Sequence, residues 1–216
     1  WSGDVRHPLP DHYIDLAPYI DVTSFSNGTD VELIRAKGYR SEFLQIGYDA
    51  TVFNTEGAGE RSGVVFLGNN YGDYKFAESA SRRTMVQAMA EAFPDDFKVY
   101  GTAWEGIVPA KNCGGYLHEP DSPDVLRRAL IAVGWDHFFR PGFASDRLLR
   151  ATACGCSVVN QYYEGIEEEH PTVYAAKDIP DMVDKVRYLL SDPVHAACKG
   201  ELNAANTLAN HRWNNR

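Results

Sequence analysis

The chain has 216 residues, 21 basic and 30 acidic, for a net charge of −9; 44% of residues are hydrophobic and 24% charged. That length suits one large domain or one and a half, and the composition excludes a disordered or fibrous chain. No apolar run reaches about 18 residues, which excludes a membrane-spanning helix, and the acidic balance disfavours a sequence-independent grip on nucleic acid.

The chain opens at Trp1 rather than Met, so further sequence upstream is expected, and Trp1 to Pro18 is polar and proline-rich. Ile20–Phe25 reads as a strand, Thr29 or Asp30 as the cap of a helix through Lys37, and Phe43–Ile46 as a second strand. Three glycines in Glu56–Gly63 mark the best boundary in the chain. Val64–Leu67 then predicts a buried strand ending at Gly68. Met85, Met89 and Phe93 give the next helix its apolar stripe, and Phe97–Tyr100 a strand ending at Gly101. Ser122-Pro123-Asp124 has the cap, proline and acid of a helix start, leading into Val125, Leu126, Ala129 and Leu130. Ile131–Val133 is a strand, and Ser145 caps a helix that stops at Gly155. Val158-Val159 and Thr172–Tyr174 are strands. Two helices finish the chain, one carrying Met182, Val183, Val186, Leu189 and Leu190, the other starting at Asp192-Pro193. About five strands alternating with helices after Gly63 predict a doubly wound parallel α/β sheet, preceded by the tail of a second such unit.

In such sheets ligands sit beyond the carboxyl ends of the strands, which directs attention to four loops. Gly68-Asn69-Asn70-Tyr71-Gly72 lets backbone amides approach a ligand, though a glycine-asparagine turn is also common, and neither dinucleotide nor phosphate-loop fingerprint is met. Ser145-Asp146-Arg147 combines free amides, a helix dipole and a guanidinium, the makings of an anion site. Between residues 127 and 150 stand five arginines (Arg127, Arg128, Arg140, Arg147, Arg150) against Asp136 and Asp146, a basic island in an acidic chain. Asp136 and His137, just past a strand, suit hydrogen bonding to a polyol, and Glu164-Gly165, after Tyr162-Tyr163, suits a sugar or ribose. Arg82-Arg83, at the start of a helix, is a solvent-facing pair or a second reach toward the same phosphates.

Other features point to structure. The four cysteines (Cys113, Cys154, Cys156, Cys198) are too scattered for a disulfide framework, and Cys154 and Cys156 lack partners for a metal set, which makes them core thiols. Glu167-Glu168-Glu169 reads as a solvated face. No signal peptide opens the sequence, and a reducing, cytoplasmic compartment is expected. Asn27-Gly28-Thr29 then fits the glycosylation acceptor pattern by chance.

The order of these features resembles the C-terminal half of GT-B glycosyltransferases. The likeness is to group-1, family-4-like proteins related to spore maturation protein B, with phage and bacterial members. Ala153-Cys154-Gly155-Cys156-Ser157-Val158-Val159 looks like their helix-to-strand turn, Gly47–Phe53 like their crossing segment, and Asn210–Arg216 like their closing helix. The resemblance implies a remnant of an N-terminal, acceptor-side Rossmann-like domain at 1–55 and a linker at 56–63. A Rossmann-like nucleotide-sugar-binding domain would follow at 64–200, then a helix at 201–216 returning toward the N-terminal domain, most of which is absent from this sequence. The family-4 pattern places two glutamates eight positions apart; here those positions are Gly142 and Arg150, so their roles do not transfer.

The expected activity is transfer of a sugar from a nucleotide-diphosphate donor, UDP-sugar first among them, to a hydroxyl of a glycan, small molecule or modified DNA base. Arg147 and Arg83 are expected to stabilise the departing diphosphate without a metal or other cofactor. Gly68, Asn69, Asn70, Tyr71, Ser145 and Arg150 would help hold the donor, with Asp136, His137, Glu164 and Gly165 near sugar or ribose. The rival readings are a noncatalytic sugar-nucleotide-binding module and a dehydrogenase-type domain, the latter weakened by the absent glycine fingerprint.

Overall fold

A computed structural model describes residues 2, 8–72, 76, 78–138 and 142–216; Arg140 lies outside them. The first unit runs through helix α1 (Asp11–Leu16), strand β1 (Thr23–Phe25), helix α2 (Gly28–Ala36) and strand β2 (Ser41–Phe43), and the two strands pair in parallel across the α2 crossover. Leu9, Ala17, Phe25, Val31 and Ile34 form its small core. The cap of α2 is Asn27, not Thr29 or Asp30. Its side chain accepts from the Asp30 N–H at 2.9 Å and donates to the Asp30 carboxylate at 2.8 Å, which leaves Asn27 wholly buried. β2 precedes the expected 43–46 because Gln45 leaves the strand, its amide donating to the Gly142 carbonyl at 2.7 Å.

The glycine-rich stretch that follows is pinned at its end. Arg61 donates Nη2 to the Cys154 carbonyl at 2.6 Å and Nη1 to those of Ala129 and Leu126 at 3.3 and 3.4 Å. Arg127 reaches back to the Val52 and Asn54 carbonyls at 2.9 and 3.0 Å.

Beyond it come β3 (Ser62–Leu67), α3 (Ser79–Ala92), β4 (Phe97–Tyr100), β5 (Cys113–Gly115), α4 (Ser122–Arg128), β6 (Ala129–Gly134), α5 (Asp146–Ala153), β7 (Ser157–Gln161), α6 (Ile166–Glu169), β8 (Tyr174–Ala176), α7 (Ile179–Ser191) and α8 (Pro193–Asn210). The strands form one six-stranded sheet, parallel throughout, in the order β5-β4-β3-β6-β7-β8. The strand absent from the sequence reading is β5, three residues held by Val99 and Tyr100 of its neighbour. Ala129 and Leu130 belong to β6 rather than to the preceding helix. β8 begins at Tyr174, where the expected strand ended. Asp121, not Ser122, takes the capping position of α4, because the Ser122 hydroxyl is turned back onto the Glu119 carbonyl at 2.8 Å.

Alternate residues of β3 face opposite sides of the sheet, as strand geometry requires. Val64 and Phe66 meet Met85, Val86 and Met89 of α3 and Met182 and Val186 of α7, while Val65 joins Leu148, Leu149 and Cys154 on the other side. Layers of helix on both faces make the sheet doubly wound. α8 runs unbroken through residues 200 and 201 and packs on β6, β7, α5 and α7. The chain then returns to its own entry point. The Tyr48 N–H donates to the His211 carbonyl at 3.2 Å, the Trp213 N–H to the Tyr48 carbonyl at 3.3 Å, and Trp213 lies against Gly47.

Candidate functional site

The chain runs outward from β3 to β5, then restarts at β6 on the other side of β3. That reversal opens a crevice at the carboxyl ends of β3 and β6, where sheets of this order take their ligands. A cleft of about 370 Å³ lies there, lined by Gly68, Asn69, Gly101, Tyr116, Arg147 and Arg150 among others, within the size range of small-ligand sites. A larger groove, about 670 Å³, lies between the linker, the end of α5 and α8; the one arginine lining it, Arg61, is held by carbonyls.

The floor of the cleft is two loops stitched together. Asn69 accepts from the Thr102 N–H at 2.9 Å, and Asn70 donates to the Ala103 carbonyl at 2.8 Å. The Trp104 indole donates to the Gly68 carbonyl at 2.7 Å. Gly101 has φ +142°, and a β-carbon there would stand 2.2 Å from the Gly68 carbonyl oxygen, so only glycine lets the loops approach. Ala103 is held at φ +64°, a left-handed conformation that alanine adopts only when its surroundings impose it. The asparagine side chains therefore shape the cleft by binding the neighbouring loop.

Helix α5 starts as its sequence dictates. Ser145 is buried at the capping position, and its hydroxyl accepts from the Arg147 N–H at 3.4 Å. Arg147 then extends to Asp136, Nη2 to Oδ1, at 2.8 Å. Nη2 of Arg82 lies 4.0 Å from the same carboxylate oxygen. Arg82 is 1% exposed, sits beneath Gly68 and over the Phe66 ring, and donates Nε to the Trp135 carbonyl at 2.8 Å. Its Nη1 and Nη2 have no hydrogen-bond partner among the described residues. Burial, then the charge of Arg147, push the Arg82 guanidinium down to about 9, Asp136 offsetting only part; it stays charged at neutral pH. Burial acts the same way on Arg147, but Asp136 and Asp146 outweigh it and hold its pKa above the usual value. Two guanidiniums share one carboxylate in a secluded place. The Arg82 N–H groups without a hydrogen-bond partner among the described residues are of the kind an anion can satisfy.

The inward-facing arginine is thus Arg82, where the sequence reading had favoured Arg83. Arg83 comes about 100° further round α3 and is half-buried. The signal was present: Arg82 lies three and seven residues before Met85 and Met89, on their buried stripe. Arg150 lines the cleft, but Glu119 and Asp146 hold it (the latter at 3.0 Å), and it lies over the Phe53 ring. His137 packs among Tyr71, Phe76 and Phe138. Glu164 is exposed, and its carbonyl accepts from the Gly142 N–H at 3.3 Å; Gly165, at φ +96°, starts α6.

Glu169 departs from the solvated face expected of its run. It turns inward between the Gln45 amide at 3.3 Å and the Tyr163 hydroxyl at 3.4 Å, and burial raises its pKa. Cys154 and Cys156 are fully buried core thiols with pKa values raised by burial, Cys154 to about 11. Among the described residues no group of three His, Cys, Asp or Glu is placed to hold a metal ion, and no helix is long and apolar enough to cross a membrane.

A family model described as "Glycosyl transferase-like" matches residues 81–216. No curated protein matches the chain in sequence. Among solved structures, sucrose-phosphate synthase from Thermosynechococcus elongatus is similar at a TM-score of 0.68 and 10% identity, over 94% of this chain and 57% of that one. A mutant of S. aureus TarM, in complex with fondaparinux, alpha-GlcNAc-glycerol and UDP, reaches 0.67 at 15% identity, over 93% and 43%. Anabaena HepE, in complex with UDP and glucose, reaches 0.66 at 10%, over 95% and 64%. The chain spans about half the length of these proteins, and at such identities the likeness is one of fold. With most of its length inside the family model, the chain belongs to the glycosyl transferase-like family, and its six-stranded unit is a GT-B C-terminal domain.

Proposed function

We propose that this chain is the donor-binding part of a glycosyltransferase that moves a sugar from a nucleotide diphosphate to a hydroxyl acceptor. Arg82 is the observation that carries this reading: a guanidinium 1% exposed, two of whose nitrogens have no hydrogen-bond partner among the described residues, beside the cleft at the switch point. The diphosphate lies between Arg82, Arg147 and the first turn of α5, and the nucleoside extends into the cleft past Gly68 and Tyr116. The UDP named in the TarM and HepE structures makes UDP the first nucleotide to try.

In the transfer the acceptor oxygen bonds to the anomeric carbon as the bond to the diphosphate breaks. The bonding pair leaves with the phosphate oxygen, and the acceptor hydroxyl's proton passes to that departing diphosphate, directly or through solvent. Negative charge grows on the departing diphosphate, where two preorganised guanidiniums and a helix end stabilise it, the part a metal ion plays elsewhere. The transfer is therefore proposed to need no metal.

Titration of the chain with UDP by calorimetry tests the reading. Binding that Arg147→Ala weakens about 100-fold, equivalent to about 2.7 kcal/mol, is the expected result. Unchanged affinity in that variant overturns it. A panel of UDP-sugars followed by mass spectrometry then separates transfer from binding alone. Binding without turnover would favour a noncatalytic module, a reading that Arg150 supports by standing where the family-4 pattern has a glutamate.

A further inference from the structure

We propose that Asp136 decides which anions the site admits, by standing in for one. Its Oδ1 accepts from Arg147 at 2.8 Å and lies 4.0 Å from Nη2 of Arg82. A diphosphate binds by taking Arg147 away from it. The inference rests on the diphosphate reading above.

The carboxylate is placed to be exchanged. Asp136 is 9% exposed, and its backbone N–H is engaged by the Gln161 side chain at 3.2 Å. Among the described residues no group besides the two guanidiniums pairs with its carboxylate oxygens. An internal anion held only by the groups that bind the ligand competes directly with it. Among the described residues Asp136 also acts on the Tyr163 hydroxyl, whose pKa is raised by burial first and then by the charges of Glu169 and Asp136.

Charge then sets a threshold. Two guanidiniums flank the Asp136 carboxylate directly, and Asp146 adds a second negative charge beside Arg147. An anion of lower charge, such as orthophosphate, that takes Arg147 leaves Asp136 with Arg82 alone, 4.0 Å away, so it gains little. A diphosphate carries enough charge to hold both arginines at once, and its paired oxygens match their forked geometry. Specificity of this kind comes from a built-in cost against the weaker competitor. Asp136 is thus a specificity-determining residue, in place of the polyol contact expected from sequence.

Calorimetry with inorganic pyrophosphate and orthophosphate on the chain and on Asp136→Asn tests this. Asparagine keeps the size and an acceptor oxygen but removes the competing charge. The chain itself is expected to prefer pyrophosphate by about tenfold or more. In Asp136→Asn orthophosphate is expected to tighten about tenfold and pyrophosphate about threefold, narrowing the preference. Affinities that stay the same or weaken overturn the inference and make Asp136 a simple positioning residue for Arg147. Absence of pyrophosphate binding in the chain itself, or binding indifferent to Arg147→Ala, overturns the diphosphate reading instead. Should Asp136→Asn not fold, crystals of the unaltered chain soaked in pyrophosphate decide the matter. Arg147 on the anion and more than about 4 Å from Asp136 is expected, and an intact Arg147–Asp136 pair beside bound pyrophosphate overturns it.

Discussion

Two arginines stand at opposite ends of the same sheet and do opposite things. Arg61, at the amino-terminal end, gives its terminal nitrogens to three carbonyls, those of Leu126, Ala129 and Cys154. Arg82, at the carboxyl end, is more deeply buried, yet among the described residues it makes one hydrogen bond, to a carbonyl, and its terminal nitrogens make none. A guanidinium whose two terminal nitrogens are both answered by backbone carbonyls is a fastener. One whose burial is incompletely answered carries a desolvation cost that the fold alone does not offset, and its location marks where a ligand belongs. The difference between these two arginines lies in how fully their terminal nitrogens are hydrogen-bonded, not in residue type.

That contrast can be broken by exchange of effects. The largest expected effect is at the carboxyl end: Arg147→Ala lowers UDP affinity about 100-fold while the urea midpoint stays close to that of the unaltered chain. Comparable loss of stability would make Arg147 a second fastener. Next, Arg61→Ala is expected to lower unfolding stability by about 2 kcal/mol, read by urea denaturation, because three carbonyls lose a charged donor; UDP affinity stays within about twofold. A smaller change is expected of Gly101→Ala, which must push the Gly68 loop outward to admit a β-carbon, weakening UDP about tenfold. Smallest is Arg83→Ala, with affinity within about twofold, since its neighbour faces the site. A loss there as large as that of Arg147→Ala would reverse the assignment of the two.

How much of this was legible in the sequence depended on whether the deciding interaction is local. The α5 start was readable because Ser145, Arg147 and the closing Gly155 act within one helix. The doubly wound sheet was readable because its central strands are apolar runs between helices. β5 was not, since Cys113–Gly115 has no side-chain pattern and exists through pairing with β4. Asn69 and Asn70 were found as loop residues, but their chemistry suits a neighbouring loop as well as a ligand, and only tertiary placement decides. Glu169 looked like the third member of a solvated run because Gln45, which draws it inward, lies far away in sequence. Arg82 and Arg83 differ only in helical phase, which the stripe through Met85 and Met89 would have resolved.

The meeting of the chain's entry at Gly47–Tyr48 with its exit at His211–Trp213 has a mechanical consequence. Two backbone hydrogen bonds and an indole on a glycine form a seam that closes the six-stranded unit upon itself. Tension applied across the two crossings loads that seam first, in shear, while the strands behind it stay slack. The sheet that lines the cleft is thereby insulated from a force that separates the two crossings until the seam gives way.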